Sequence, residues 1–302
     1  MQYTVQHTTL YTYDQPVGLC HNVAKLLPRN TAEQIVIECD VQILPQPTML
    51  HAYEDFFGNQ TRYFAIQQPH KSLQVTVTSI IEKKVLPPIL SAAALAMSWE
   101  EAQAQVAVQM NQEVAIAQYV LPTPATQANS EIAQFARMAF TPGKNAYQAC
   151  KDLMELIFTQ CTFQPGFSTI STPVWLVMKE RKGVCQDFAH LAIACIRSVG
   201  LPVRYVSGYI ETLPPKGKPK LVGVDASHAW FSVYLPYMGW VDFDPTNNQV
   251  PGYQHLTVGW GRDYFDVAPL KGVIQNSGPH QLTVSVDVRR TNLYHPVAAM
   301  EQ

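Results

Sequence analysis

Residues 179 to 200 read Lys179-Glu180-Arg181-Lys182-Gly183-Val184-Cys185-Gln186-Asp187-Phe188-Ala189-His190-Leu191-Ala192-Ile193-Ala194-Cys195-Ile196-Arg197-Ser198-Val199-Gly200, and the pattern inside them decides the fold. Phe188, Leu191, Ala192, Cys195, Ile196 and Val199 recur at helical spacing, so a helix here carries an apolar stripe into a core. Gly200 and Pro202 end it, as a C-cap glycine and a breaker should. Cys185 lies one turn before Phe188 on the same stripe. A glycine-led turn delivers it to the helix N-terminus, where backbone N–H groups lack partners and the helix dipole favours negative charge. Such a place favours thiolate, the reactive form of cysteine, over thiol.

A cysteine at a helix start is by itself most often a small core residue. A nucleophile also needs a base, and the base an orienting group. Both follow downstream. Ser227-His228-Ala229-Trp230-Phe231-Ser232-Val233-Tyr234-Leu235 reads as a strand, Pro236-Tyr237-Met238-Gly239 as a turn, and Trp240-Val241-Asp242-Phe243-Asp244 as the returning strand, closed by Pro245. The antiparallel hairpin brings His228 and Asp244 to its open end, opposite each other or one step diagonal, where side chains on one face touch. Cys185 then attacks a carbonyl carbon, His228 takes and returns the proton, and Asp244 fixes the tautomer of His228 and stabilises its charged form. The Cys185 backbone N–H is a natural oxyanion donor. For a second donor, Trp175 and Gln164 are the upstream candidates, against plainer readings as a buried aromatic and a loop amide.

The blocks Gly183-Val184-Cys185-Gln186-Asp187-Phe188-Ala189-His190, Pro202-Val203-Arg204-Tyr205-Val206-Ser207-Gly208-Tyr209, Ser227-His228-Ala229-Trp230 and Gly239-Trp240-Val241-Asp242-Phe243-Asp244-Pro245-Thr246 together resemble the bacterial transglutaminase-like proteins, a group described as cysteine proteases. Tyr3 to Tyr13 and Asp55-Phe56-Phe57-Gly58-Asn59 look like that family's N-terminal β domain, and Gly261-Arg262-Asp263-Tyr264 like its C-terminal signature. The resemblance implies a papain-like transglutaminase core with Cys185, His228 and Asp244 matching nucleophile, base and orienting acid. It leaves the reaction open, because relatives of this core cross-link proteins, cleave amides or have lost activity.

Composition sets the bounds. The 302 residues are 47% hydrophobic and 15% charged, a globular chain long enough for more than one core. A formal net charge of −2 without runs of like charge gives no electrostatic reason for a nucleic-acid or membrane partner. The N-terminus shows no basic segment followed by an apolar stretch, and no apolar run reaches membrane-span length. Six scattered cysteines without a Cys-x-x-Cys pair argue against a zinc ribbon or disulfide framework and, with the rest, make the cytoplasm the expected compartment. No cofactor or metal is expected. Cys185 and His190, five residues apart on a helix, differ by about 140° of rotation and cannot ligate from one face. His190 is a packing or surface histidine on this reading. No acidic loop has calcium-ligand spacing, unlike the calcium-dependent animal transglutaminases.

The expected architecture is α+β: an N-terminal antiparallel β-sandwich over 1–86, a helical connector over 87–129, a transglutaminase-like catalytic core over 130–250, and a C-terminal extension over 251–302 with a late strand near 282–288. Residues 2–13, 35–43 and 73–81 alternate as strands, with Ile35, Ile37, Cys39, Val41 and Ile43 expected on one face. His7 and His51 are expected on polar strand faces. Pro87-Pro88 ends the domain, Ser98 to Glu101 fits a helix capping box, and the Pro-rich stretch 214–219 reads as an exposed loop. Asp263 is a candidate to face the active site. Functionally, the constellation points to a thiol enzyme hydrolysing peptide, isopeptide or side-chain amide bonds on a peptide or protein substrate. The alternatives are transfer of a glutaminyl group to an amine, acyl transfer from a thioester, and a peptide-binding module without catalysis.

Overall fold

The computed structural model describes residues 1–84, 91–110, 114–212, 226–275 and 278–291. Pro87-Pro88 and the 214–219 loop lie outside the described residues. Six strands come first: β1 (Gln2–Val17), β2 (Leu19–Ala24), β3 (Gln34–Leu44), β4 (Met49–Glu54), β5 (Gln60–Ile66) and β6 (His70–Lys83). Helices α1 (Ala92–Ala96), α2 (Trp99–Met110), α3 (Val114–Ala117), α4 (Ser130–Ala139) and α5 (Ala146–Gln160) follow. Then come β7 (Thr162–Phe163), α6 (Val174–Glu180), β8 (Lys182–Gly183) and α7 (Cys185–Ser198). The chain closes with β9 (Val203–Ile210), β10 (Ala226–Leu235), β11 (Gly239–Phe243), β12 (His255–Gly261), β13 (Leu270–Gln275) and β14 (His280–Thr291).

Two four-stranded antiparallel sheets, ordered β14-β1-β6-β3 and β13-β2-β5-β4, make the N-terminal domain. Tyr13, Val17, Cys20, Phe64, Ile66, Leu73 and Val75 fill the space between them, the sandwich that strict alternation demands of strands with one buried face. The expectation of a single inward face on 35–43 fails: Ile43 is buried, but Ile35 and Ile37 are 46% and 48% exposed. β3 is an edge strand, and its register with β6 shifts between Val36 and Glu38. A one-residue slip sends alternate side chains to the other face.

The described strands after residue 250 join sheets begun earlier in the chain. β12 joins the core sheet beside β9, β13 pairs with β2, and β14 pairs with β1 over its whole length. Each of these strands lends its hydrogen bonds and inward residues to a sheet begun elsewhere in the chain, which no local pattern encodes. Val286 and Val288 of β14 enter a third cluster with Tyr3, Val5, Ile81, Tyr209, Leu256 and Val258, so the sandwich and the core sheet share buried surface.

The core sheet has the order β11-β10-β9-β12 and lies against α7. Phe231, Val233, Tyr205 and Phe243 meet Leu191, Ala192, Cys195 and Ile196 there, with α4 and α5 packed behind through Phe135, Ala136, Leu153 and Ile157. Nearly every residue of α7 after its first turn is buried. Its stripe therefore widens into a helix surrounded by protein, as the alanines at 189, 192 and 194 permit. Gly200, at φ 78°, takes the left-handed backbone that stops it. The capping box forms as expected, Ser98 N–H bonding Glu101 Oε2 at 2.8 Å and Glu101 N–H bonding Ser98 Oγ at 3.2 Å.

Candidate active site

The start of α7 is fixed by a close approach. A Cβ on Gly183 would lie 2.7 Å from Cβ of Asp187, so only glycine lets the chain turn here. Asp187 Oδ2 accepts the Val184 N–H at 2.8 Å and the Ser168 hydroxyl, capping the helix one residue ahead of Cys185. Cys185 is half-buried at the first helical position, where its N–H is one of those without an intrahelical acceptor. β7 runs parallel to β8, and the Gln164 N–H bonds the Gly183 carbonyl at 2.9 Å. Gln164, exposed, thus lies one strand over from the turn that delivers Cys185, whereas Trp175 sits on α6 and is 50% exposed.

The hairpin of β10 and β11 pairs Phe231 with Phe243, so Asp244 continues past Trp230 and meets His228 diagonally. His228 Nε2 lies 2.8 Å from Asp244 Oδ2, with His228 6% exposed and Asp244 fully buried. The Cys185 thiol is near enough to His228 to raise its pKa. Since Nε2 is engaged by Asp244, Nδ1 is the nitrogen left for the thiol. Burial alone would push His228 below the ordinary histidine range, but the bonds and charges of Asp244 and Cys185 outweigh it and raise the group to about 9. Burial works against Asp244 ionisation too, yet the hydrogen bonds from His228 and His255 win and hold the carboxyl well below its usual range. The imidazolium form of His228 is thus favoured at neutral pH.

Two residues that sequence reasoning did not single out complete this arrangement. His255, at the start of β12, puts Nε2 2.9 Å from the same Asp244 Oδ2, and Asn247 Nδ2 donates to it at 2.7 Å. Asp244 Oδ1 accepts the backbone N–H groups of Thr246 at 2.9 Å and Asn247 at 3.3 Å. Five donors therefore hold one buried carboxylate. Asn247 was legible in principle, because an aspartate followed by Pro-Thr-Asn favours a turn about its own side chain. His255 was not, since only the pairing of β12 with β9 brings it here. His228 Nε2, Asp244 Oδ2 and His255 Nε2 lie within 4.8 Å of one another, a spacing that a divalent ion needs, but each imidazole nitrogen is directed at the carboxylate.

The other sequence candidates lie elsewhere. His190 is buried and its Nε2 accepts the Tyr264 N–H at 3.1 Å; burial pushes it down to about 4, which keeps it a neutral acceptor. Asp263 is buried as the cap of the turn at Tyr264–Asp266, accepting the Phe265 N–H at 2.8 Å, and is not among the side chains bonded to Cys185, His228 or Asp244. His7 corrects the sequence reading: it is 1% exposed, bonded to Thr9 and packed against the Tyr209 ring at 5.6 Å. Its strand face is covered by the core sheet, a contact the strand's own alternation does not encode. His51 is exposed and stacks on Tyr53.

Comparison with known proteins agrees with the fold. Residues 3–82 match the bacterial transglutaminase-like N-terminal region, and residues 133–245 match the transglutaminase-like superfamily. An uncharacterized protein of Mycobacterium tuberculosis is 38% identical over 294 residues, covering 95% of this chain and 92% of its own. One of Mycobacterium leprae is 33% identical over 289 residues, covering 95% and 98%. A solved structure from Cytophaga hutchinsonii, described as a putative cysteine protease, superposes with a TM-score of 0.73 at 19% identity, covering 96% of this chain and 90% of that one. The chain belongs to the bacterial transglutaminase-like family.

Proposed function

We propose that this protein is a thiol-dependent acyl-transfer enzyme that hydrolyses peptide, isopeptide or side-chain amide bonds of a peptide or protein substrate. The observation that carries the reading is the buried Asp244–His228 pair at 2.8 Å, with Cys185 close enough to raise the pKa of the same imidazole. Cys185 Sγ attacks the carbonyl carbon, and the oxygen takes the developing charge against the Cys185 N–H. His228 gives its proton to the departing amine, leaving a thioester on Cys185. Water then enters, His228 takes one of its protons, and the thioester collapses to the free acid and the thiolate. Asp244, shared with His255 and Asn247, keeps the imidazole facing the sulfur through both halves.

A second reading replaces water by an amine. A protein-glutamine gamma-glutamyltransferase of Pseudomonas aeruginosa is 36% identical over 96 residues, 30% of this chain and 14% of that protein, which favours that acceptor for the same thioester. One experiment separates the readings: wild type and Cys185→Ala are incubated with a glutaminyl-peptide and peptide-amide library, with and without amine, and followed by intact mass. A Cys185-dependent acyl adduct with free acid as product supports hydrolysis; incorporated amine supports transfer. Absence of both, with mapped Cys185 alkylation by iodoacetamide at about pH 6 no faster than in His228→Ala, would leave the binding module instead.

A further inference from the structure

On the sheet face that carries Trp230, about 13 Å along β10 from His228 by strand rise, lies a cavity of about 590 Å³. The sandwich closes it from one side with Thr31, Glu33 and Lys83, and β9, β11 and β12 supply Arg204, Asp242, Trp240 and Trp260. None of Cys185, His228, Asp244 or His255 lines it.

Arg204 is the unusual member. It is 9% exposed, and its guanidinium is sandwiched between two indoles, 3.7 Å from the Trp260 ring centre and 4.3 Å from that of Trp240. Arg29 stacks on Trp260 as well, at 3.4 Å, and Trp240 meets Tyr119 edge-on at 5.1 Å. Stacking holds a guanidinium plane but satisfies none of its N–H groups. Arg204 Nε has no hydrogen-bond partner among the described residues, and neither has Ser232 Oγ, which is fully buried directly opposite on β10. The acids do not close the gap. Glu33 is bridged to Lys83 at 3.2 Å, and Asp242 Oδ2 accepts the Trp230 indole N–H at 2.9 Å. Burial pulls Arg204 down to about 10, so it remains a cation at neutral pH. A buried cation with an unmet donor is costly unless an acceptor completes it, and Arg204 is a wall residue of this cavity.

We propose that this cavity binds a small molecule bearing a carboxylate on an apolar or aromatic body, with the carboxylate on Arg204 and the body along Trp240, Trp260 and Val206. The pre-stacked guanidinium has its plane fixed before the ligand arrives, so its fork can take two carboxylate oxygens with little loss of side-chain freedom. The cavity's volume falls in the range of ordinary small-molecule sites.

The test uses the whole protein and two matched probes, N-acetyl-L-phenylalanine and its uncharged carboxamide, titrated calorimetrically. Wild type is expected to bind the acid saturably and the amide at least about tenfold more weakly, because the amide cannot give Arg204 an anionic acceptor. Arg204→Gln should lose the preference. Ala32→Phe, which adds bulk at an exposed wall residue and leaves Arg204 in place, should weaken the acid by a similar factor and thereby exclude binding at the thiol site. Equal binding of acid and amide, no binding of either, or an undiminished affinity in Ala32→Phe would overturn the proposal and leave Arg204 as a structural pillar between the sheets. Should Arg204→Gln fail to fold, the probe pair on wild type and Ala32→Phe decides alone.

Discussion

Replacing Asp244 by asparagine tests the heart of the site with the least change of shape. In the native arrangement Oδ2 accepts from His228, His255 and Asn247 together, and Oδ1 accepts two backbone N–H groups. An asparagine can keep its carbonyl oxygen on Thr246 and Asn247, but its NH₂ then confronts three donors. The least costly escape is for His228 to move its proton from Nε2 to Nδ1, the nitrogen facing Cys185. It then cannot take a proton from the thiol. A wrong tautomer at a catalytic histidine costs about 10⁴ in kcat. The raising of His228 from 6.5 to about 9 corresponds to about 3 kcal/mol of preference for the imidazolium, most of which the asparagine variant forfeits. The sign of the pH dependence is fixed by the same numbers. Because the folded His228 lies above its unfolded value, its contribution is complete below about 6.5 and disappears as pH rises through about 9. Asp244, depressed on folding, contributes above the ordinary carboxylate range and loses that as pH falls. The stability gap between wild type and Asp244→Asn should therefore be widest between about pH 4 and 6.5 and narrow above about 9. Urea unfolding across that range, paired with Cys185 alkylation rates and an NMR titration of His228, reads all three effects. A variant whose His228 still titrates near 9 and whose Cys185 reacts within a few-fold of wild type would refute the reasoning.

Three further outcomes follow from the same structure. His7 and His190 are both buried and held at about 4, so stability should fall as pH drops from about 6.5, by up to about 3 kcal/mol for each, and His190→Gln should remove part of that slope in urea melts at successive pH values. Gly208→Ala would put a methyl 2.2 Å from the Leu256 carbonyl and 2.6 Å from the Trp230 ring, so it should cost about 3 kcal/mol in thermal unfolding, while Gly252→Ala, which meets nothing within 4 Å, should be near neutral. If Gln164 rather than Trp175 supplies the second oxyanion contact, Gln164→Ala should lower kcat about 100-fold with Cys185 alkylation unchanged, and Trp175→Phe should leave both alone.

Much of the protein is legible in its sequence because the informative patterns are local. The stripe from Phe188 to Val199 and its glycine stop define α7, and the Pro-Tyr-Met-Gly turn fixes the hairpin register that brings His228 diagonal to Asp244. Helical period, turn chemistry and hairpin register act over a few residues, so a reader of the chain can recover them. What the sequence could not determine is which strand lies beside which. His255 reaches Asp244 only because β12 adds to β9, and the last three strands divide among three sheets only because β13 and β14 return to strands more than 200 residues earlier. The same holds for His7, buried by a sheet from the other end of the chain, and for Arg204, whose two indoles come from β11 and β12. Alternation states that a face is covered but carries no record of the partner that covers it, and that choice belongs to the tertiary structure.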